Sequence, residues 1–148
     1  MGLLLLSVAA IAAFKLLFNN KKKDSFSNDA IIKNYLVEDY SNKKSLKKTI
    51  TRRINKIIND YKCLSFKIGK TASTNERQKA HFDKYDKLIL LYKSEDCVMI
   101  EELESYYNEK YIKHKKNENV ERGSAGKMSD IDHYYYLYIV LKTNTLKK

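Results

Sequence analysis

At 148 residues, 43% hydrophobic and 32% charged, the chain has material for one folded domain and an appendage, and its composition excludes a disordered or fibrous class. Its formal net charge of +11 is unevenly placed: residues 20–62 hold twelve Lys and Arg against five acids, and residues 63–148 hold sixteen against thirteen. The basic excess therefore belongs to the N-terminal part, where it suits an anionic partner, either a membrane surface or a nucleic acid.

The chain opens on sixteen residues, Leu3 to Phe18, that are apolar apart from Ser7 and Lys15. This is just under the roughly 17–25 residues that span hydrocarbon, and Lys15 can snorkel to the nearby boundary. Lys21, Lys22 and Lys23 follow the apolar run and nothing basic precedes it. The positive-inside rule then predicts a transmembrane anchor over residues 1–19, with the rest on the cytoplasmic or virion-internal side. A cleaved signal peptide is the rival, since Ala10-Ile11-Ala12 resembles a cleavage site. N-myristoylation at Gly2 does not fit, because Leu6 stands where the motif needs Ser or Thr.

Residues 20–62 form the second expected unit, a polar linker and a basic helical arm. Ile31, Ile32, Tyr35 and Leu36 predict a helix from Asp29 to Tyr40. A second helix, Ser45 to Tyr61, gathers Leu46, Ile50, Ile54, Ile57, Ile58 and Tyr61 on one face and leaves Lys47, Lys48, Arg52, Arg53 and Lys56 around the other. Arg52 and Arg53 are candidates for binding the phosphates of DNA or of an anionic lipid; the alternative is a solvated basic face.

Residues 63–148 are the third unit. Leu64, Phe66 and Ile68 alternate with Ser65 and Lys67, a strand that stops at Gly69. Thr74 as N-cap begins a helix that carries Arg77 in its first turn. Lys87 to Tyr92 is a continuous apolar run, which predicts a buried strand. A long helix from Asp96 to His114 offers Val98, Ile100, Leu103, Tyr107, Tyr111 and Ile112 to the core and brings Glu101, Glu104 and Asn108 together in projection. A loop with Asn119, Gly123 and Gly126 leads to an aromatic and β-branched strand, Asp132 to Leu141. Cys63 and Cys97 lack the Cys-x-x-Cys or nearby histidine pairs of a zinc site, and nothing asks for a disulfide.

The motif Lys67-Ile68-Gly69-Lys70-Thr71, with Arg77 ten residues after Lys67 and His81 four residues later, resembles the second signature of the GIY-YIG nuclease family. Leu103 to Tyr107 is similar to that family's glutamate helix, and Asn117-Glu118-Asn119-Val120 to its late asparagine segment, so the resemblance covers residues 63 to 126. It implies an α+β fold, a small three-stranded antiparallel sheet flanked by helices, here preceded by the anchor and the basic arm. The family's first tyrosine strand is missing ahead of Lys67. The C-terminal strand is therefore expected to take its place, as in a circular permutation, with residues 134–141 pairing antiparallel with both 64–69 and 87–92. One of Tyr134, Tyr136 and Tyr138 then approaches Arg77, and Tyr136 is taken as the catalytic candidate.

The same resemblance implies phosphodiester hydrolysis, with Arg77, Glu104, His81, Tyr136 and Lys67 as catalytic residues and a Mg²⁺ ion held by Glu104. Lys70, Arg77 and Asn119 would bind phosphate. Lys67 stands where the family has a tyrosine, and it can hold a phosphate better than it can transfer a proton. The alternative is a catalytically inactive, membrane-tethered structural or adaptor protein, for example a viral membrane-associated component, that uses the same fold for binding.

Overall fold

The structure is a computed structural model and describes residues 31–38, 40–120 and 133–144. The expected anchor over residues 3–18 and the loop glycines Gly123 and Gly126 lie outside the described residues. Among the described residues no helix is long and apolar enough to cross a membrane. In chain order the elements are β1 (Ile31–Ile32), α1 (Lys43–Asp60), β2 (Ser65–Thr71), α2 (Thr74–His81), β3 (Lys87–Ser94), α3 (Cys97–Tyr111) and β4 (Tyr135–Lys142).

The sheet order is β1-β3-β4-β2. β4 pairs antiparallel with β2 on one side, with Phe66 opposite Leu141 and Ile68 opposite Ile139, and antiparallel with β3 on the other. This is the pairing expected for the C-terminal strand. Leu137, Ile139, Val140 and Leu141 are all fully buried, as a strand covered on both faces requires.

The sheet is nevertheless four-stranded and mixed, not the three-stranded antiparallel sheet that the resemblance implies. Ile31 and Ile32 run parallel to Leu88 and Ile89, and Val37 continues the contact by donating its N–H to the Leu91 carbonyl at 2.9 Å. The physical reason is the far edge of β3, an apolar strand whose outer backbone groups would otherwise lie unpaired. Residues 29–40 were expected to be a helix because Ile31, Ile32, Tyr35 and Leu36 are spaced for one. Ile31 and Ile32 pair with β3 instead, Asn34 and Tyr35 form a turn, and the four apolar side chains pack partly buried against the two core clusters.

The helical arm expected to precede the sheet is one of its layers. Asn42 caps α1, its side-chain oxygen accepting from the Ser45 N–H at 2.9 Å. Leu46, Ile50, Ile54 and Ile57 are fully buried against Phe66, Ile68, Ile100, Tyr107 and Ile139 in the main core. Each such side chain contributes about 1.5–3 kcal/mol by leaving water. The charged face of α1 stays outside. α3 packs beside it, capped by Asp96, whose carboxylate accepts from the Val98 and Met99 N–H groups.

The buried stripe of α3 is Ile100, Leu103, Glu104, Tyr107, Asn108 and Tyr111. Val98 and Ile112, expected in the core, are 57% and 40% exposed, because they fall off that stripe by helical angle. On the opposite sheet face a smaller cluster joins Tyr85, Leu88, Leu90, Tyr138 and Val140. α2 lies beside this second cluster without burying any residue of its own. Its N-cap is Ser73, one residue before the expected Thr74. The Thr71 hydroxyl makes the turn instead, accepting from the Ser73 N–H at 3.0 Å and donating to the Ser73 carbonyl at 2.9 Å.

Candidate functional site

A cleft of about 250 Å³ lies along β2, which forms one edge of the sheet. Its walls are Lys67, Gly69 and Lys70 from β2, Arg77 and His81 from α2, Glu104 from α3, Tyr138 from β4, and Asn119 with Val120 from the segment after α3. Strand alternation explains how one edge gathers residues from both sheet faces. Phe66, Ile68 and Lys70 point to the helical layer of α1 and α3, and Lys67 and Gly69 to the side of Tyr138 and α2.

Six of the sequence-derived candidates, Lys67, Lys70, Arg77, His81, Glu104 and Asn119, therefore meet in one place. Tyr136 does not line the cleft. It pairs with Thr71 at the far end of β2, whereas Tyr138, opposite Gly69, supplies the phenol. Arg52 and Arg53 belong to the outer side of α1. Arg52 is exposed, and Arg53 donates from Nη1 to the Tyr35 carbonyl, holding down the turn after β1. A separate basic groove, lined by Lys43, Lys44, Lys47, Lys48 and Lys110, surrounds Tyr106, with the Lys47 ammonium 4.2 Å from the ring centre.

His81 and Tyr138 form the polar centre. Nε2 of His81 and the Tyr138 hydroxyl are hydrogen-bonded at 3.0 Å. Burial pulls the His81 pKa down to about 4, and the charges of Arg77, Lys67 and Lys84 pull the same way. Burial also pushes the Tyr138 pKa up to about 12, with Arg77 opposing and Glu104 reinforcing. Both groups are thus uncharged near neutral pH. Among the described residues neither Lys67 nor Arg77 makes an ion pair, so their charges stand over this neutral pair without a carboxylate partner.

Lys70 is different. It is 8% exposed, and its Nζ lies 3.2 Å from Glu104 Oε2 and 3.5 Å from Glu101 Oε1. Glu104 itself is 3% exposed. This is the carboxylate to which the resemblance assigns Mg²⁺, an ion that needs several oxygen positions for its water shell. An ammonium already bonded to the carboxylate takes one of them and repels a second cation. As arranged, these residues do not fit a divalent ion on Glu104. One turn further, Asn108 is 1% exposed and neither atom of its amide has a partner among the described residues.

Asn119 serves the strand more than the cleft. Its side-chain oxygen accepts from the Ile68 N–H at 2.9 Å and its amide nitrogen donates to the Ile68 carbonyl at 2.9 Å. The amide thus completes the open edge of β2 as a neighbouring strand would. The same segment pairs with Phe66, whose N–H donates to the Lys116 carbonyl and whose carbonyl accepts from the Glu118 N–H. Lys84 and Tyr85 both bond to the Glu118 carboxylate and tie the segment to the start of β3. No protein-family model matches the chain, and no curated protein or solved structure matches it either.

Proposed function

We propose that the cleft binds the phosphodiester of a nucleic acid and hydrolyses it, as the likeness to GIY-YIG nucleases implies, in a protein that residues 3–18 tether to a membrane. The observation that carries this reading is the placing of Lys67 and Arg77, two cations without carboxylate partners among the described residues, beside the neutral His81–Tyr138 pair in one cleft. Arg77 and Lys67 would hold the non-bridging phosphate oxygens and stabilise the charge that develops on them in the transition state.

Lys67 and Arg77 both depress the basicity of His81. A bound phosphate offsets those charges but not the burial that is the main cause, so the imidazole moves part of the way back toward its ordinary value and becomes a stronger base than in the empty cleft. Water attacking phosphorus then gives up its proton to His81, directly or through the Tyr138 hydroxyl, and the departing oxygen takes a proton from solvent.

The test is nicking of plasmid DNA and cleavage of short RNA by the full chain in detergent micelles, compared with Arg77→Ala. Cleavage by the wild type that the variant lacks is the expected result. Binding without cleavage would favour the adaptor reading, for which Lys67 in the place of a proton-transferring tyrosine is the supporting observation. Neither binding nor cleavage would overturn both. The topology is tested separately by protease protection, with residues 20–148 expected to be digested in inside-out vesicles and shielded in right-side-out ones.

A further inference from the structure

We propose that Lys70 is the resident counter-cation of Glu104, so that the cleft takes its phosphate ligand without a divalent metal. The ligand half of this inference rests on the phosphodiester-binding function; the Lys70 half stands on the ion pair alone.

Glu104 projects from the buried stripe of α3, where an isolated carboxylate would be costly and a partner of opposite charge offsets that cost. The partner comes from the chain itself. Lys70 extends from β2 with 8% of its surface exposed and lies within reach of both Glu104 and Glu101. Gly69 next to it leaves its side of the strand to the Tyr138 ring, so the lysine stem is the side chain that β2 sends toward α3 at this point. A divalent cation on Glu104 would face the ammonium at close range, where like charges repel strongly in a partly buried site. Removing Lys70 would therefore take away the charge that repels a metal from Glu104.

The positive charge offered to a ligand then comes from Lys67 and Arg77. Both side chains belong to the fold and need no ion to load them. Lys70 and Glu104 cancel each other and contribute position instead. Their bond joins β2 to α3 across the floor of the cleft.

The experiment has two arms, both on the full chain in detergent micelles. In the first, Mn²⁺ is titrated and the free aqua ion is read by electron paramagnetic resonance. The wild type should leave the signal undiminished, Lys70→Met should bind Mn²⁺ at least about tenfold more tightly than the wild type, and Lys70→Met combined with Glu104→Gln should lose that binding. In the second, a fluorescein-labelled oligonucleotide is bound in EDTA and in Mg²⁺ at matched ionic strength, with equal affinity expected.

Mn²⁺ binding by the wild type that Glu104→Gln removes would overturn the proposal, as would oligonucleotide binding that appears only with Mg²⁺. Should Lys70→Met fail to fold by circular dichroism, the wild-type titration still decides. No oligonucleotide binding in any condition, with a silent wild-type Mn²⁺ titration, would sink the phosphodiester reading while leaving Lys70 as the partner of Glu104.

Discussion

The Tyr138 ring rests on the backbone of Gly69, its partner across the strand pair: a Cβ built at Gly69 would meet Tyr138 Cζ at 2.6 Å and Cε1 at 3.1 Å, with the hydroxyl oxygen nearer still. Glycine is required here for space, since any side chain would lift the phenol away from His81. Gly69→Ala is expected to destabilise the fold by about 1–3 kcal/mol, the usual cost of overpacking. The cost should shrink in a Tyr138→Leu background, where the ring is gone. Urea unfolding of the two single variants and the double variant gives the coupling directly. Equal costs in both backgrounds would show that the ring is not what glycine accommodates.

Asn119→Ala removes both bonds to the Ile68 backbone and should cost about 1–2 kcal/mol in urea unfolding. Asn119→Asp is the more discriminating change. A carboxylate still accepts from the Ile68 N–H but offers no donor to the Ile68 carbonyl, so it should recover only part of the loss. Full recovery would mean that the donated bond contributes nothing.

His81 should make the protein acid-sensitive in a defined window. Its folded pKa, about 4, lies below the ordinary value of 6.5. Above about pH 6.5 both folded and unfolded chains carry a neutral imidazole and the contribution is complete. Between there and pH 4 the unfolded chain takes up a proton that the folded chain refuses, so stability falls as pH falls. The effect is at most roughly 3 kcal/mol, and solvent screening at a partly exposed ring reduces it. Unfolding of wild type and His81→Gln as a function of pH measures it. Nuclear magnetic resonance titration of the His81 ring should also show its pKa rising when an oligonucleotide binds.

Arg77→Ala is expected to separate function from folding. The side chain is exposed on a helix that buries nothing, so stability should change by no more than about 0.5 kcal/mol. Cleavage should fall by about 10²–10³-fold if Arg77 stabilises the phosphate in the transition state. The His81 pKa should rise in this variant, because a neighbouring positive charge has gone. An unchanged His81 titration would place Arg77 too far from the imidazole for the arrangement described.

The parts of the fold that local pattern encodes were legible in the sequence. Phe66 and Ile68 alternate as a half-buried strand does, and the run from Leu137 to Leu141 is apolar on both faces as an inner strand must be. What local pattern does not encode is register. Tyr136 and Tyr138 have the same parity and the same chemistry, and only pairing with Gly69 rather than Thr71 selects Tyr138 for the cleft. Ile31 and Ile32 became a strand because the edge of β3 needed one, a demand that arises far along the chain. The spacing of Lys67, Arg77 and His81 was enough to bring those residues together. The bond between Lys70 and Glu104 was not legible, since it joins elements separated by another strand and a helix.

The strand that unites this sheet is also the one made last among the described elements. Until residues 135–142 leave the ribosome, β2 and β3 have no common partner, and the isoleucines of α1 lack the Leu137 and Ile139 surface that closes the core. The growing chain must therefore carry exposed strand edges and an apolar helix face until then, a state prone to misassociation and suited to chaperone capture. Premature termination or clipping anywhere before Tyr135 should leave a chain without a folded domain, however much of the cleft's own sequence it retains.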